Sequence, residues 1–168
     1  MPTLHLIEGP VGAGKTTYAI RLGKSLGAPP LILDAWMVKL FQPDRPDRDL
    51  WAWYAERKAR CTGQMLDLAL SALDHGQDAI AELGLVRRHD RITLFSRLED
   101  QNLDFLVHVL EEPRDERWRR VERRNNEKGE TFAMLVSSEV FEMASDMWEP
   151  IDPSEIAGRQ ERFRFARC

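Results

Sequence analysis

The sequence predicts an α/β fold, a parallel β-sheet covered by helices on both faces. Two observations predict it. Short apolar runs alternate along the chain with longer segments whose apolar residues recur at helical spacing. The first of those runs also passes through a glycine-rich turn directly into a helix. With 168 residues, 43% hydrophobic and 31% charged, the chain is long enough to bury such a core and is expected to form one domain, residues 1–168.

The first strand is the apolar run Leu4-His5-Leu6-Ile7, and the turn after it reads Gly9-Pro10-Val11-Gly12-Ala13-Gly14-Lys15-Thr16. That is G-x-x-x-x-G-K-T between a strand and a helix, the context in which the pattern becomes a phosphate-binding loop, or P-loop. Glycines let the backbone wrap closely and turn its N–H groups inward, while the helix opening at Lys15 aims its positive end into the same hollow. Gly9 to Thr17 are therefore the expected contacts of a nucleoside triphosphate, ATP or GTP. Lys15 reaches the β- and γ-phosphates and Thr16 holds Mg²⁺. The fold is then a P-loop NTPase three-layer αβα sandwich with a parallel sheet of about five strands.

Helix one runs from Lys15 to about Leu26 and is stopped by Gly27 and the prolines 29 and 30. Leu31-Ile32-Leu33-Asp34 reads as the second strand, with one or two helical turns over 35–41 and a charged, proline-containing loop over 42–49. Residues 50–75 are one long helix or two, with a candidate break at Thr62-Gly63 and a stop at Gly76. Asp78 to Leu83 is the third strand, Asp90 to Asn102 a helix with Ile92, Phe95 and Leu98 inward, and Leu103 to Leu110 the fourth strand. Arg114 to Lys128 is a polar, arginine-rich helix. Ser137 or Ser138 caps a further helix whose inward side is read as Val140, Ala144, Met147 and Trp148. The alternating tail Arg162-Phe163-Arg164-Phe165 is a short edge strand.

Ligands of such sheets bind beyond the carboxyl ends of the strands, which selects Asp34 and Glu82. A carboxylate at Asp34 can take the proton of an attacking hydroxyl in line with the γ-phosphate, or simply cap the turn at Ala35. Glu82 can hold Mg²⁺ through water, bond a substrate hydroxyl, or face solvent at the edge. No run of four apolar residues ends in Asp, so the metal-holding acid of motor ATPases and switch GTPases is missing, which favours a small phosphotransferase. Residues 116–126 form the local basic cluster, with Arg117, Arg120 and Arg124 on one helical face. They read as a lid over ATP, spanning about 114–136 and including Lys128-Gly129-Glu130-Thr131, or as a solvated face tied by pairs of Glu116 with Arg119 and Arg120. Trp36, Trp51 and Trp53 form either an aromatic wall for an acceptor or, more commonly, core. His5 and His108 are expected to be packed within strands.

The net charge of −4 gives no overall positive field for a nucleic acid polymer or an anionic membrane. No apolar run approaches membrane-spanning length, the N-terminus enters a strand at once, and Cys61 and Cys168 match no metal spacing, so a reducing cytoplasm is expected. Oligomeric state is not legible.

Four segments together resemble a known family: Gly9–Thr17, L-I-L-D-A-W-M (31–37), E-L-G-L-V-R-R-H-D-R (82–91) and R-W-R-R-V-E-R-R-N-N-E-K-G-E-T-F (117–132). They are similar to small bacterial AAA-family ATPases or kinases related to polynucleotide kinase, zeta-toxin and chloramphenicol phosphotransferase enzymes. The likeness covers Leu4 to about Pro150. It implies adenylate-kinase-like strand order and lid, Asp34 as general base toward an acceptor hydroxyl, and Arg124 on the nucleotide phosphates; the helical face adds Arg120 as a second arginine expected to close from the lid. Two departures stand out: Met37 lies where polynucleotide kinase has an arginine, and Glu82 where close relatives commonly have Asp. The expected activity is transfer of the ATP γ-phosphate to a hydroxyl of a small or nucleotide-like acceptor. The alternatives are a 5′-hydroxyl polynucleotide kinase, a nucleotide-sugar kinase and a nucleotide-dependent switch.

Overall fold

The computed structural model describes residues 1–129 and 131–167. Its sheet begins where the sequence places it. Strand β1 (Leu4–Glu8) is wholly buried, because it is the middle strand of five, paired in parallel with β3 (Ala79–Glu82) and β4 (Phe105–Leu110). Strand β2 (Pro30–Ile32) lies outside β3, and β5 (Phe163–Ala166) outside β4. The order β2-β3-β1-β4-β5 is parallel throughout. Near-continuous Leu, Ile, Val and Ala in the three inner strands suit a sheet covered on both faces.

The strand alternation decides which helix covers which face. Ile7, Ile80 and Leu110 pack on Ala19, Tyr18 and Leu22 of α1 (Lys15–Leu26). Leu4, Leu6, Ala79, Ala81, Phe105, Val107 and Val109 pack the other way. They meet Met65, Leu66, Ala69 and Leu73 of α3 (Leu50–Asp74) and Leu94, Phe95 and Leu98 of α4 (Arg88–Asp100). Each of the larger side chains among them (leucine, isoleucine, valine, methionine or phenylalanine), moved out of water, contributes about 1.5–3 kcal/mol. A third, smaller cluster joins α5 (Arg114–Glu127) and α6 (Ser138–Met147) through Val121, Val136 and Phe141, with Val11 of the loop against it.

Several expectations change. Strand β2 has only three residues, and Leu33 and Asp34 already belong to α2 (Leu33–Phe41), whose N-cap is Ile32. Asp34 is therefore neither a strand end nor a cap; it stands in the first helical turn. Helix α3 runs unbroken through Thr62-Gly63, because Cys61, Met65 and Leu66 hold that stretch on the sheet. The inward side of α6 is Phe141 and Ser145, while Val140 is exposed. The tryptophans divide: Trp36 is half-buried and packs against the core, Trp53 is half-buried, and Trp51 is 59% exposed and stacks on Tyr54. A short helix, α7 (Pro153–Ile156), and two single 3₁₀ turns, 42–44 and 160–162, had no periodic signal. Among the described residues no helix is long and apolar enough to cross a membrane. Cys168 and Glu130 lie outside the described residues.

Candidate active site

The loop after β1 is shaped by its glycines. Gly12 has φ +79°, and a Cβ there would stand 2.7 Å from the Arg117 carbonyl oxygen. A Cβ on Gly9 would meet the Leu110 carbonyl oxygen at 2.5 Å. The loop is thus wedged between the end of β4 and the first turn of α5, where no side chain fits. Gly14, also left-handed at φ +94°, leads into α1. Lys15 Nζ donates to the Pro10 carbonyl at 3.0 Å and lies 3.9 Å from Glu82 Oε1. Thr16 Oγ1 donates to Glu82 Oε2 at 3.0 Å. Thr17 is exposed.

Glu82 is buried at the end of β3, which removes the reading of it as a solvent-facing edge residue. Burial raises its pKa; Lys15, the Thr16 hydroxyl and Arg124 pull it back, and Asp34 pushes it further up. A hydroxyl and a carboxylate meeting at the loop are the donor set of a Mg²⁺ that keeps most of its waters. The residues present therefore fit that ion, which would neutralise phosphate charge here.

Asp34 is exposed beyond the sheet end and exerts its field on Glu82, Arg124, Tyr54 and Lys58. Of the lid arginines, Arg124 is partly buried, and its Nε has no hydrogen-bond partner among the described residues. Burial lowers its pKa, opposed by Asp34 and Glu82. Arg120 donates to Glu112 at 3.0 Å and to Glu116 at 3.5 Å, so it is held by an acid of the turn before α5 and one of α5 itself. Arg119 pairs with Asp115 and Glu116 on the exposed side, the solvated face foreseen as the alternative. Arg117 is buried, donating to the Val11 carbonyl at 2.8 Å and to Ser145 at 3.0 Å. It fastens α5 to the loop.

Four residues at or around the site escaped the sequence reading. Glu8 precedes Gly9 and is 1% exposed, with Oε1 lacking a hydrogen-bond partner among the described residues. Burial lifts its pKa to about 8 against the pull of Arg91, Lys15 and Lys58. An acid inside the first apolar strand was the available signal. Arg91 is wholly buried and paired with Glu155 at 2.8 Å; it shares a helical face with Phe95 and Leu98, a pattern visible in the sequence. Its guanidinium also donates to the carbonyls of Leu85, Val86 and Glu149, pinning the turn after β3. Lys58 donates to the Gly84 carbonyl at 2.7 Å in that same turn. Asn125 donates to the Val136 carbonyl and accepts from its N–H, tying the far end of the segment read as a lid back onto α5. The sequence gives no local sign of the last two.

The sequence matches a family model described as AAA domain over residues 4–150. No curated protein matches it. Among solved structures it is similar to a putative kinase from Chloroflexus aurantiacus J-10-fl, 19% identical over 95% of each chain with a TM-score of 0.67. It is also similar to a gluconokinase from Sinorhizobium meliloti 1021, 16% identical over 98% of this chain and 81% of that one, TM-score 0.56. A chain of the Pnkp1/Rnl/Hen1 RNA repair complex is 17% identical, TM-score 0.59, with 99% of this chain covered. This chain spans about half (48%) of that one. At such identities the likeness is one of fold. The family match runs from the head of β1 to the residues just after α6 and so takes in every element that builds the site: the chain belongs to the P-loop AAA domain family (AAA_33).

Proposed function

We propose that this protein is an ATP-dependent phosphotransferase that moves the γ-phosphate of ATP, with Mg²⁺, to a hydroxyl of a small acceptor. The observation that carries the reading is the hydrogen-bonded pair of Thr16 and Glu82 directly beyond a P-loop, with Asp34 and Arg124 within the electrostatic field of Glu82. Loop N–H groups and Lys15 bind the triphosphate once Lys15 leaves the Pro10 carbonyl. Thr16 and Glu82 would hold Mg²⁺ in the manner their shared hydrogen bond suggests.

Asp34, exposed to the crevice, accepts the proton of the acceptor hydroxyl. The hydroxyl oxygen bonds to the γ-phosphorus as the bond from that phosphorus to the β–γ bridging oxygen breaks, and ADP leaves. Arg124, whose buried Nε lacks a partner among the described residues, donates to the transferring group's oxygens. Arg120 joins it only after releasing Glu112. Net charge −4 and the neutral Met37 favour a small acceptor over a nucleic acid polymer.

The test is ATP consumption across sugars, nucleosides and hydroxy acids, with Asp34→Asn as the variant. A kinase consumes ATP faster with its acceptor, and Asp34→Asn cuts turnover by about 10²–10⁴-fold with ATP affinity nearly intact. Slow hydrolysis indifferent to every acceptor and to Asp34→Asn would mark a switch instead.

A further inference from the structure

The crevice around Asp34 has two sides, and the triphosphate accounts for only one. On that side stand Lys15, Thr16, Glu82 and Arg124. On the other, where α3 faces the turn after β3, stand Tyr54 and Lys58, both half-buried and both within the field of Asp34. Lys58 is held there firmly. Its ammonium donates to the Gly84 carbonyl at 2.7 Å, a Cβ on Gly84 would come within 3.7 Å of it, and Arg91 pins the same turn from below.

An ammonium carries three donors. The structure gives this one a single neutral acceptor, and among the described residues no carboxylate reaches it at salt-bridge distance. Asp90, Asp34 and Glu8 act on it only through space, and burial outweighs them, lowering its pKa. A second cation, Arg87, also lies within its field. Arg87 is exposed at the N-cap of α4 and makes no ion pair among the described residues. A half-buried ammonium, fixed in place with donors unused and no carboxylate at contact distance among the described residues, is prepared to receive an anion.

We propose that the acceptor carries an anionic group, a carboxylate or a phosphate, and that Lys58 binds it, with Arg87 at the mouth of the crevice. Tyr54, whose phenol burial and Asp34 push up to about 12, stays a neutral donor for a hydroxyl of the same molecule. This rests on the phosphotransferase reading above, since it names the acceptor class of that site. The anion is held on one side of Asp34 while the hydroxyl to be phosphorylated faces Arg124 and the P-loop on the other. The acceptor is then a hydroxy acid or a monophosphate small enough to place both groups across one carboxylate.

The experiment uses the full chain with Mg²⁺ and ATP and compares matched acceptors. Glycerol is set against glycerate and glycerol 3-phosphate, glucose against glucuronate and glucose 6-phosphate, and adenosine against adenosine 3′-monophosphate. The anionic member of at least one set should exceed its neutral partner in kcat/KM by about ten- to hundredfold, as expected for a hydrogen bond between charged groups. Whether the carboxylate or the phosphate wins identifies the anion. Lys58→Met should erase that preference, chiefly by raising KM for the anionic acceptor, and Lys58→Arg should restore part of it. Lys24→Met, an exposed change at the far end of α1, should leave the preference as it is. Melting curves identify any Lys58→Met that fails to fold, in which case Lys58→Arg and Arg87→Ala decide, through the same KM change.

Equal or better turnover of the neutral members would overturn the anion site and leave the kinase standing. So would a Lys58→Met that raises KM for neutral and anionic acceptors alike. A panel in which nothing accelerates ATP consumption would sink the kinase reading and the anion site with it.

Discussion

Glu155→Gln is the sharpest test of how the site is held. Arg91 and Glu155 are wholly buried, with two guanidinium-to-carboxylate bonds of 2.8 and 2.9 Å. Glu155 Oε1 also accepts from the Asp152 N–H at 3.0 Å. Glutamine keeps the shape but removes the charge, and turns one oxygen into a donor facing the guanidinium. An uncompensated buried cation costs about 3–5 kcal/mol. For a chain of this length that lowers Tm by about 6–20 °C. Arg91 cannot escape by rotating out, since it also serves four carbonyls and lies over the Trp148 ring.

Replacing both partners, Arg91→Met with Glu155→Leu, should recover part of the loss but not all of it. The charge problem disappears, yet the carbonyls of Leu85, Val86, Glu149 and Pro150 lose their donor, at about 1 kcal/mol each. Scanning calorimetry and urea unfolding of the two singles and the double complete the cycle. A Glu155→Gln protein melting within about 2 °C of wild type would show that the pair does not carry the turn after β3.

Arg124→Ala should lower kcat by about 10²–10³-fold, the cost of losing one preorganised donor to a developing oxyanion, with a much smaller change in KM for ATP; steady-state kinetics decide, and an equal rise in KM would make Arg124 a simple ATP contact. Acid should weaken the fold through the ring pair under α1. His5 Nδ1 and His108 Nε2 lie 2.9 Å apart, and the Tyr18 hydroxyl is 2.8 Å from His108 Nδ1. Burial, with His5 and Arg164 adding to it, lowers His108 from 6.5 to about 4, and burial lowers His5 against the pull of Asp78. A depressed histidine contributes its stability fully above the unfolded value and loses it as pH falls from 6.5 to about 4. Glu8 works in the opposite direction, its stability falling as pH rises from 4.5 to about 8. Urea unfolding across pH 7 to 4 should therefore show wild type losing ground relative to His108→Asn, and parallel curves would contradict the assignment.

What the sequence disclosed, and what it hid, follows from the range of the interactions. The P-loop was legible because its glycines, lysine and threonine act within eight residues, and the parallel order followed from alternating elements. Asp34 was misplaced by a local ambiguity: Leu33 prolongs the apolar run of β2, although α3 packing draws it into α2. Arg91 and Glu155 are 64 residues apart and join only when α7 docks. Charged residues are read as solvated unless a partner is known, so this pair could not be foreseen. Lys58 is equally opaque, because its environment is a backbone carbonyl from a turn 26 residues away. Arg117 and Arg120 shared a face with Arg124 on paper, but each found oxygen partners nearby, leaving Arg124 with a buried nitrogen that has no partner among the described residues.

Isothermal calorimetry of wild type and Lys15→Ala with Mg²⁺ and ATP tests the phosphate hollow itself. The wild-type chain should bind ATP with one site per molecule, and the variant should lose that heat while keeping its melting temperature. Binding unchanged by the loss of Lys15, or no heat from the intact protein, would contradict the account at its root.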